Sequence, residues 1–272
     1  MRQETLTKMK TAFHLNGYFS TEIEELAEKF KAHESKLISL CKKYARYGRE
    51  KIVSFDPKED NRKGYSNAVF SRITGNFEAI IKASIDLQYP EVRIILRTLI
   101  ESQIRIIALA RDKKFLEKVE LHSRWNRKRL FKNLLKHPPE RDRQKILDES
   151  KKELDKLNSQ KCEELKIKKI AEIAKKEHDL NTAYSIFSES THLSEADLVL
   201  DPLSTLLFPK IDRKKLLSEC SKNLIYSANF YLNSLEAHHQ IFFGNGNLDP
   251  QIMNFRVSLK NRLSNRHENF SI

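Results

Sequence analysis

The sequence predicts an all-α protein, a helical bundle with a projecting charged helical hairpin. Two observations of composition carry this reading. Six glycines and seven prolines in 272 residues are too few turn residues for an all-β chain, and charged residues reach 32% with Lys, Glu and Leu abundant. The third is that apolar residues recur at spacings of three, four and seven along most of the chain. With 39% hydrophobic residues the chain is long enough to bury a substantial core, and it reads as one helical domain over residues 1–272.

Taken in order, residues 21–47 place Ile23, Leu26, Phe30, Leu37, Leu40 and Tyr44 on one face of an amphipathic helix, with Ser20 or Thr21 as its N-cap. The segment "SFDPKEDNRKGYS" at 54–66 interrupts the pattern. Helical periodicity resumes over about 67–88 through Val69, Ile73, Phe77, Ile80, Ile81 and Ile85. Pro90 marks a boundary, because proline lacks the amide proton and restricts the residue before it. The helix that follows, 91–112, is apolar around most of its circumference, the pattern of a helix enclosed by others.

Residues 113–136 form a basic helix that ends at "HPPE". The Lys- and Glu-rich stretch 139–177 is expected to project as a hairpin broken near Asn158 and Ser159, so that about 113–178 is a charged insert between core segments 65–112 and 179–243. A long helix over 212–242 stops at Gly244 and Gly246, and 250–272 reads as a polar, partly ordered tail. No internal repeat is present.

Lys and Arg exceed Asp and Glu by 50 − 37 = 13, an excess that attracts phosphate polymers or anionic surfaces. The opening "MRQETLTKMKTAFHLNGYF" is too polar for the apolar stretch of a secretory signal, and no segment approaches the roughly 20 apolar residues that span a bilayer. A cytoplasmic location without membrane association is expected. Cys41, Cys162 and Cys220 have no C-x-x-C spacing and read as small helix residues rather than as a disulfide framework or zinc knuckle.

Two polar stripes stand out. On 91–112, Arg93, Arg97, Glu101 and Arg105 recur every four residues and form one slowly drifting line. On the segment "AYSIFSESTHLSEADL" at 183–198, Tyr184, Ser188 and His192 do the same. Charges on a nearly all-apolar helix need partners, so the two stripes are expected to face each other as one network. That network either fixes helix register or performs chemistry. The mixture favours chemistry: an arginine holds a phosphate, a carboxylate orients an imidazole, and a histidine moves a proton near neutral pH.

The motif R-T-L-I-E at 97–101, followed after the charged insert by Y-S-I-F-S-E-S-T-H at 184–192, resembles a bacterial helical domain family of unknown function. That family is marked by Arg-Ser/Thr-x-x-Glu and Tyr-x-x-x-Ser-x-x-x-His, and the resemblance covers about residues 65–240. By architecture the family in turn resembles the HEPN helical bundles of toxin–antitoxin and phage-defence systems, many of which are metal-independent ribonucleases. Those carry an Arg followed by four to six residues and then a His, a spacing met here only between Arg262 and His267 in "RLSNRH". The resemblance therefore implies ribonuclease chemistry only if Arg97 and His192 supply it from two helices.

Other patterns weigh less. Glu189-x-x-His192 and Glu236-x-x-His239 have the spacing of di-metal carboxylate bundles, with Glu101 as a third ligand, but the remaining glutamate has no helix to come from. No metal or cofactor is expected, and His238 and His239 read as charge complements of a helix C-terminus. No glycine-rich phosphate loop or G-x-S-x-G occurs, which disfavours classical nucleotide and serine hydrolysis. On the basic helix, Arg124, Arg127, Lys128 and Lys132 interleave with Trp125 and Phe131, a pattern that clamps phosphates and stacks a base unless the aromatics face the core.

The sequence thus expects an RNA-directed protein with a catalytic set of Arg97, Glu101, Tyr184, Ser188 and His192. Its expected partners are RNA and an antitoxin or other protein, with a homo-oligomer left open. The alternative is a non-enzymatic interaction or sensor subunit that docks through 113–177.

Overall fold

The computed structural model describes residues 21–52, 60–184, 187, 213–244 and 249–264. Among them are helices α1 (Thr21–His33), α2 (Ser35–Lys51), α3 (Asn61–Ile85), α4 (Tyr89–Arg111) and α5 (Phe115–Lys136). Then follow α6 (Arg143–Asn158), α7 (Ile167–Ala174), the single turn α8 (Glu177–Asp179) with a π-helical turn Leu180–Tyr184, α9 (Arg213–Phe243) and α10 (Pro250–Ser264). No strand occurs among the described residues, and no helix among them is long and apolar enough to cross a membrane. The all-α bundle is as the composition requires.

α3 and α9 form the centre. They run antiparallel, since Ser66 meets His238 and Thr74 meets Tyr231, and α2 and α4 flank the pair. Tyr231 stacks on Phe77 with ring centroids 4.3 Å apart and on Phe70 at 5.8 Å. Thr74 Oγ1 donates to the Phe70 carbonyl, so the Tyr231 hydroxyl is the donor toward Thr74. α2 reaches this seam through Gly48, where a Cβ would lie 1.6 Å from Tyr231 Oη. Asp60 caps α3 by accepting from the amides of Arg62 and Lys63, which explains why that helix starts inside the interrupted segment. Leu87 turns the chain from α3 to α4 at φ 56°, a left-handed conformation held by complete burial of its side chain.

Three expectations need correction. Residues 21–47 are not one helix: the chain turns at Glu34, whose fully buried carboxylate accepts from Ser221 Oγ at 2.6 Å and Arg262 Nη2 at 3.3 Å. The charged hairpin pairs α5 with α6, not the two halves of 139–177, because α7 returns to α4 and buries Ile170, Ala171 and Ala174. The polar tail begins as α10, which packs on α9 and buries Ile252, Phe255 and Leu259 at helical spacing, with Phe255 against Tyr44 and Tyr47 of α2 at 4.4 and 5.4 Å between ring centroids. Arg262, the arginine of the Arg-x-x-x-x-His spacing, thus serves buried Glu34; His267 lies outside the described residues.

His238 is not a charge complement either. It is buried, stacks on Phe70 at 4.5 Å, and meets Ser66 Oγ at 2.9 Å through Nδ1 and the Lys51 carbonyl at 3.3 Å through Nε2. A carbonyl only accepts, so the proton sits on Nε2 and Ser66 donates to Nδ1. Burial pulls the imidazole pKa down from 6.5 to about 4, against a smaller opposing effect of the Lys51 carbonyl. Cys41 and Cys220 are buried packing residues whose thiols desolvation pushes up to about 12.

Two stability measurements follow from these contacts. An interior helical glycine replaced by alanine ordinarily stabilises by about 1 kcal/mol, yet Gly48→Ala drives a methyl into Tyr231 and is expected to destabilise by about 2–3 kcal/mol in urea unfolding. For His238, the unfolded imidazole takes a proton as pH falls through 6.5 and the folded one only near 4. Stability is therefore lost across that window, by about 3 kcal/mol in all. A His238→Gln variant is expected to start less stable at pH 7.5 and to show a shallower loss between pH 6.5 and 4.

Candidate functional site

The site is built on α4. Val92, Leu96, Leu99, Ile100, Ile104 and Ile107 turn inward, so the line Arg93, Arg97, Glu101, Arg105 is left on the side that α7 and the π turn approach. The turn Leu180–Tyr184 buries Leu180 and delivers Tyr184 to this line, and Phe187, also buried, anchors the chain again three residues later. π turns are rare and recur at functional sites, because the extra residue shifts which side chain a helix presents.

Three of the five expected catalytic residues meet there. Arg97 Nη2 donates to Tyr184 Oη at 3.0 Å, and Tyr184 Oη donates to Glu101 Oε1 at 3.0 Å. Arg97 Nε lies 3.5 Å from the same Glu101 oxygen, and its guanidinium carbon stands 5.1 Å from the centre of the Tyr184 ring. The tyrosine hydroxyl thus has one defined orientation, proton toward the carboxylate and lone pair toward the guanidinium. The Arg97 and Glu101 side chains are 30% and 33% exposed, so this is a cluster at a solvent-facing edge, not the sealed internal network that the sequence suggested. Ser188 and His192 lie outside the described residues.

The stripe continues in both directions. Arg93 is buried, donates to Tyr89 Oη at 3.4 Å, and is flanked by the rings of Tyr89 at 5.6 Å and Phe187 at 5.9 Å. Those two π faces hold a guanidinium where water is excluded. Arg105 lies close enough to the Tyr65 phenol and to His122 of α5 to act on their titration, opposing the rise that burial gives the first and adding to the fall that burial gives the second. His122 accepts the Leu165 amide at 3.0 Å through Nδ1, which leaves its proton on Nε2, where the Asn126 side-chain amide accepts it through its oxygen. Its pKa is lowered, first by burial and then by Arg105 and Arg129, against a pull upward from Glu164. Sequence reasoning missed His122, because its role depends on a backbone amide 43 residues away.

The basic helix is less simple than either sequence reading of it. Of α5, only Phe115 is buried; Trp125 and Phe131 are half-buried, so they are neither core residues nor free platforms. Trp125 is sandwiched between the His122 ring at 5.6 Å and the Arg129 guanidinium at 5.1 Å. Arg127 pairs with Glu153 of α6 at 3.1 Å, while Arg124 and Lys128 are half-buried and Lys132 is exposed. Arg127 therefore ties the hairpin together. Elsewhere, Glu236 of the Glu-x-x-His pair on α9 is held by Arg256, and no cluster among the described residues has the ligands for a metal ion.

A family of unknown function, DUF5677, matches residues 63–201, and the chain belongs to it. The match spans α3 to α8, and with them the Arg97–Glu101–Tyr184 cluster and the charged hairpin. It ends before α9, short of the 65–240 that the motifs suggested. No curated protein and no solved structure matches the chain.

The cluster's geometry fixes how its members respond to substitution. Tyr184→Phe removes one hydroxyl that serves two partners at a partly exposed site and is expected to cost about 1 kcal/mol by urea unfolding. Arg97→Ala leaves both Tyr184 and Glu101 without their cation and is expected to cost about 1–2 kcal/mol, with Arg97→Lys between wild type and Ala.

Proposed function

We propose that this DUF5677 protein is RNA-directed and acts as a metal-independent ribonuclease of the toxin or phage-defence type, with the edge of α4 as its phosphate-handling surface. The observation that carries the reading is the partly exposed Arg97–Tyr184–Glu101 cluster on a helix most of whose other residues are buried. A planar guanidinium at such an edge pairs with two oxygens of a phosphodiester and stabilises the extra negative charge of a phosphorane. Glu101 and Tyr184 hold it in one orientation. In this reading His192, eight residues after Tyr184 in the sequence, takes the ribose 2′-hydroxyl proton or returns one to the leaving 5′-oxygen. Attack of the 2′-oxygen forms a cyclic phosphate as the bond to the 5′-oxygen breaks, so neither metal nor cofactor is consumed. The excess of 13 positive charges supports a polyanion such as RNA as the partner.

A second reading rests on a different observation. The α5–α6 hairpin buries only Phe115, Ser150 and Leu157 of its own residues and leaves Leu130 54% exposed, as a docking arm would. In that reading the protein is a non-enzymatic interaction or sensor subunit and the cluster on α4 only sets the fold.

The two separate in one assay. A 5′-labelled mixed RNA pool incubated with EDTA is expected to be cleaved, with cyclic-phosphate ends, and Arg97→Lys and Tyr184→Phe are each expected to lower the rate by about 100-fold, more than their stability loss explains. An intact pool with and without divalent metals, bound no better than by a neutral control protein, rules out the ribonuclease. On the hairpin, replacing Arg124, Arg127 and Lys128 with Ala is expected to flatten the slope of log affinity against log salt by about 0.7 for each phosphate that is no longer neutralised. Because Arg127 also pairs with Glu153, melting temperature is measured alongside; unchanged affinity and slope remove α5 from the RNA interface.

A further inference from the structure

An open groove of about 700 Å³ runs between α2 and α3, apart from the cluster on α4. Its apolar floor is Ala45 on α2 and Ile81 on α3, each 4% exposed, and half-buried Ile85 one turn after Ile81 supplies most of its accessible aliphatic side chain. Its rims are basic: Lys42 and Arg46 on α2, one turn apart, face Lys82 on α3. All three are exposed, and none takes part in an ion pair among the described residues. The acids of the lining gather at one end. There Glu78 is bound by both Arg49 Nε and Nη2, which pins α2 to α3, and Glu50 lies beside them.

We propose that this groove docks an amphipathic helix of an acidic partner protein, its apolar ridge on Ala45, Ile81 and Ile85 and its carboxylates on Lys42, Arg46 and Lys82. Three features favour that occupant. Two antiparallel helices leave a furrow into which a third helix lays side chains at i, i+3 or i+4 and i+7, and alanine lets its axis come close. The charges sit on exposed rims around an apolar centre, the arrangement of a protein interface, whereas a small-ligand pocket carries buried polar groups aimed inward. A second copy of this chain is disfavoured by its excess of 13 positive charges. The inference does not rest on the ribonuclease reading and stands if that reading falls.

The test uses the full chain and two fluorescein-labelled helical peptides with the same leucine ridge, one flanked by Glu and one by Lys, measured by anisotropy. The Glu peptide is expected to bind at least about tenfold more tightly than the Lys peptide, and the preference is expected to shrink with added salt. A Lys42→Glu, Arg46→Glu, Lys82→Glu variant is expected to weaken the Glu peptide by about tenfold or more with little change in melting temperature, because all three side chains are exposed. Ile85→Asp is expected to weaken it through the apolar centre. Equal binding of the two peptides overturns the proposal, as does binding that charge reversal at the groove leaves intact. So does an equal loss when Arg124, Lys128 and Lys132 on α5 are reversed instead, which reports attraction to the basic chain as a whole. Dodecanoate binding that the groove variant abolishes, with no Glu-peptide binding, assigns the groove to a small anionic amphiphile. Concentration-dependent sedimentation that the groove variant abolishes assigns it to a second copy; either result replaces the proposal.

Discussion

The structure depends on the seam between α3 and α9. Phe70, Phe77, Tyr231 and His238 stack there, and Thr74 and Ser66 donate or accept at fixed points, so the two helices cannot slide by a turn without breaking both the aromatic stack and the hydrogen bonds. Everything else takes its position from this pair. α2 approaches closely because Gly48 has no side chain, and its last turn is fixed where the Lys51 carbonyl accepts from His238. α4 is set by the tight turn at Leu87 and by Arg62 of α3, whose guanidinium donates to the carbonyls of Leu109 and Ala110 at the other end. Fixing α4 at both ends leaves the line from Arg93 to Arg105 facing one direction.

That line explains why a single partly exposed cluster exists on such a helix. Arg97 and Glu101 have water on one side, which lowers the cost of their charge, and Tyr184 on the other, which gives them direction. Arg93, one turn earlier, has no such access and is held between two aromatic rings. Along one helix edge the cations thus pass from enclosed to partly exposed, so the inner one adds to the potential at the outer one.

Much of this was legible in residue spacing, and the failures share a cause. The helices α3, α4 and α9 follow from apolar periodicity, and the meeting of Arg97 and Glu101 with Tyr184 from two polar stripes, each expected to need a partner. The turn at Glu34 was invisible because its carboxylate is satisfied by Ser221 and Arg262, 187 and 228 residues away. His122 escaped notice for the same reason, and α10 because three inward residues in a polar segment are a weak signal before the surface they cover is known. Local periodicity reveals which face of a helix is apolar. It does not reveal which distant polar group will need a partner.

The charge distribution extends that lesson. Many of the acids that hold the fold together sit where elements meet: Glu34 between α1 and α2, Glu78 between α2 and α3, Glu153 between α5 and α6, Glu236 between α9 and α10, and Asp249 at the start of α10. Each is met by a lysine or arginine from another element. Asp249 shows how firmly: desolvation alone would raise its pKa, but the hydrogen bonds of Tyr47 and Lys51 that converge on it prevail and leave it lowered. The whole chain carries a surplus of 13 cations, so its surface, though it also bears many exposed acids, is net basic. A surface of that kind attracts polyanions at long range, and the choice among them falls to the few places where cations are fixed beside a shaped apolar or hydrogen-bonding surface. The edge of α4 and the groove between α2 and α3 are two such places. The first offers an oriented guanidinium and the second an apolar furrow, so the phosphodiester and the acidic helix proposed above would be told apart by different physical features of the same basic molecule.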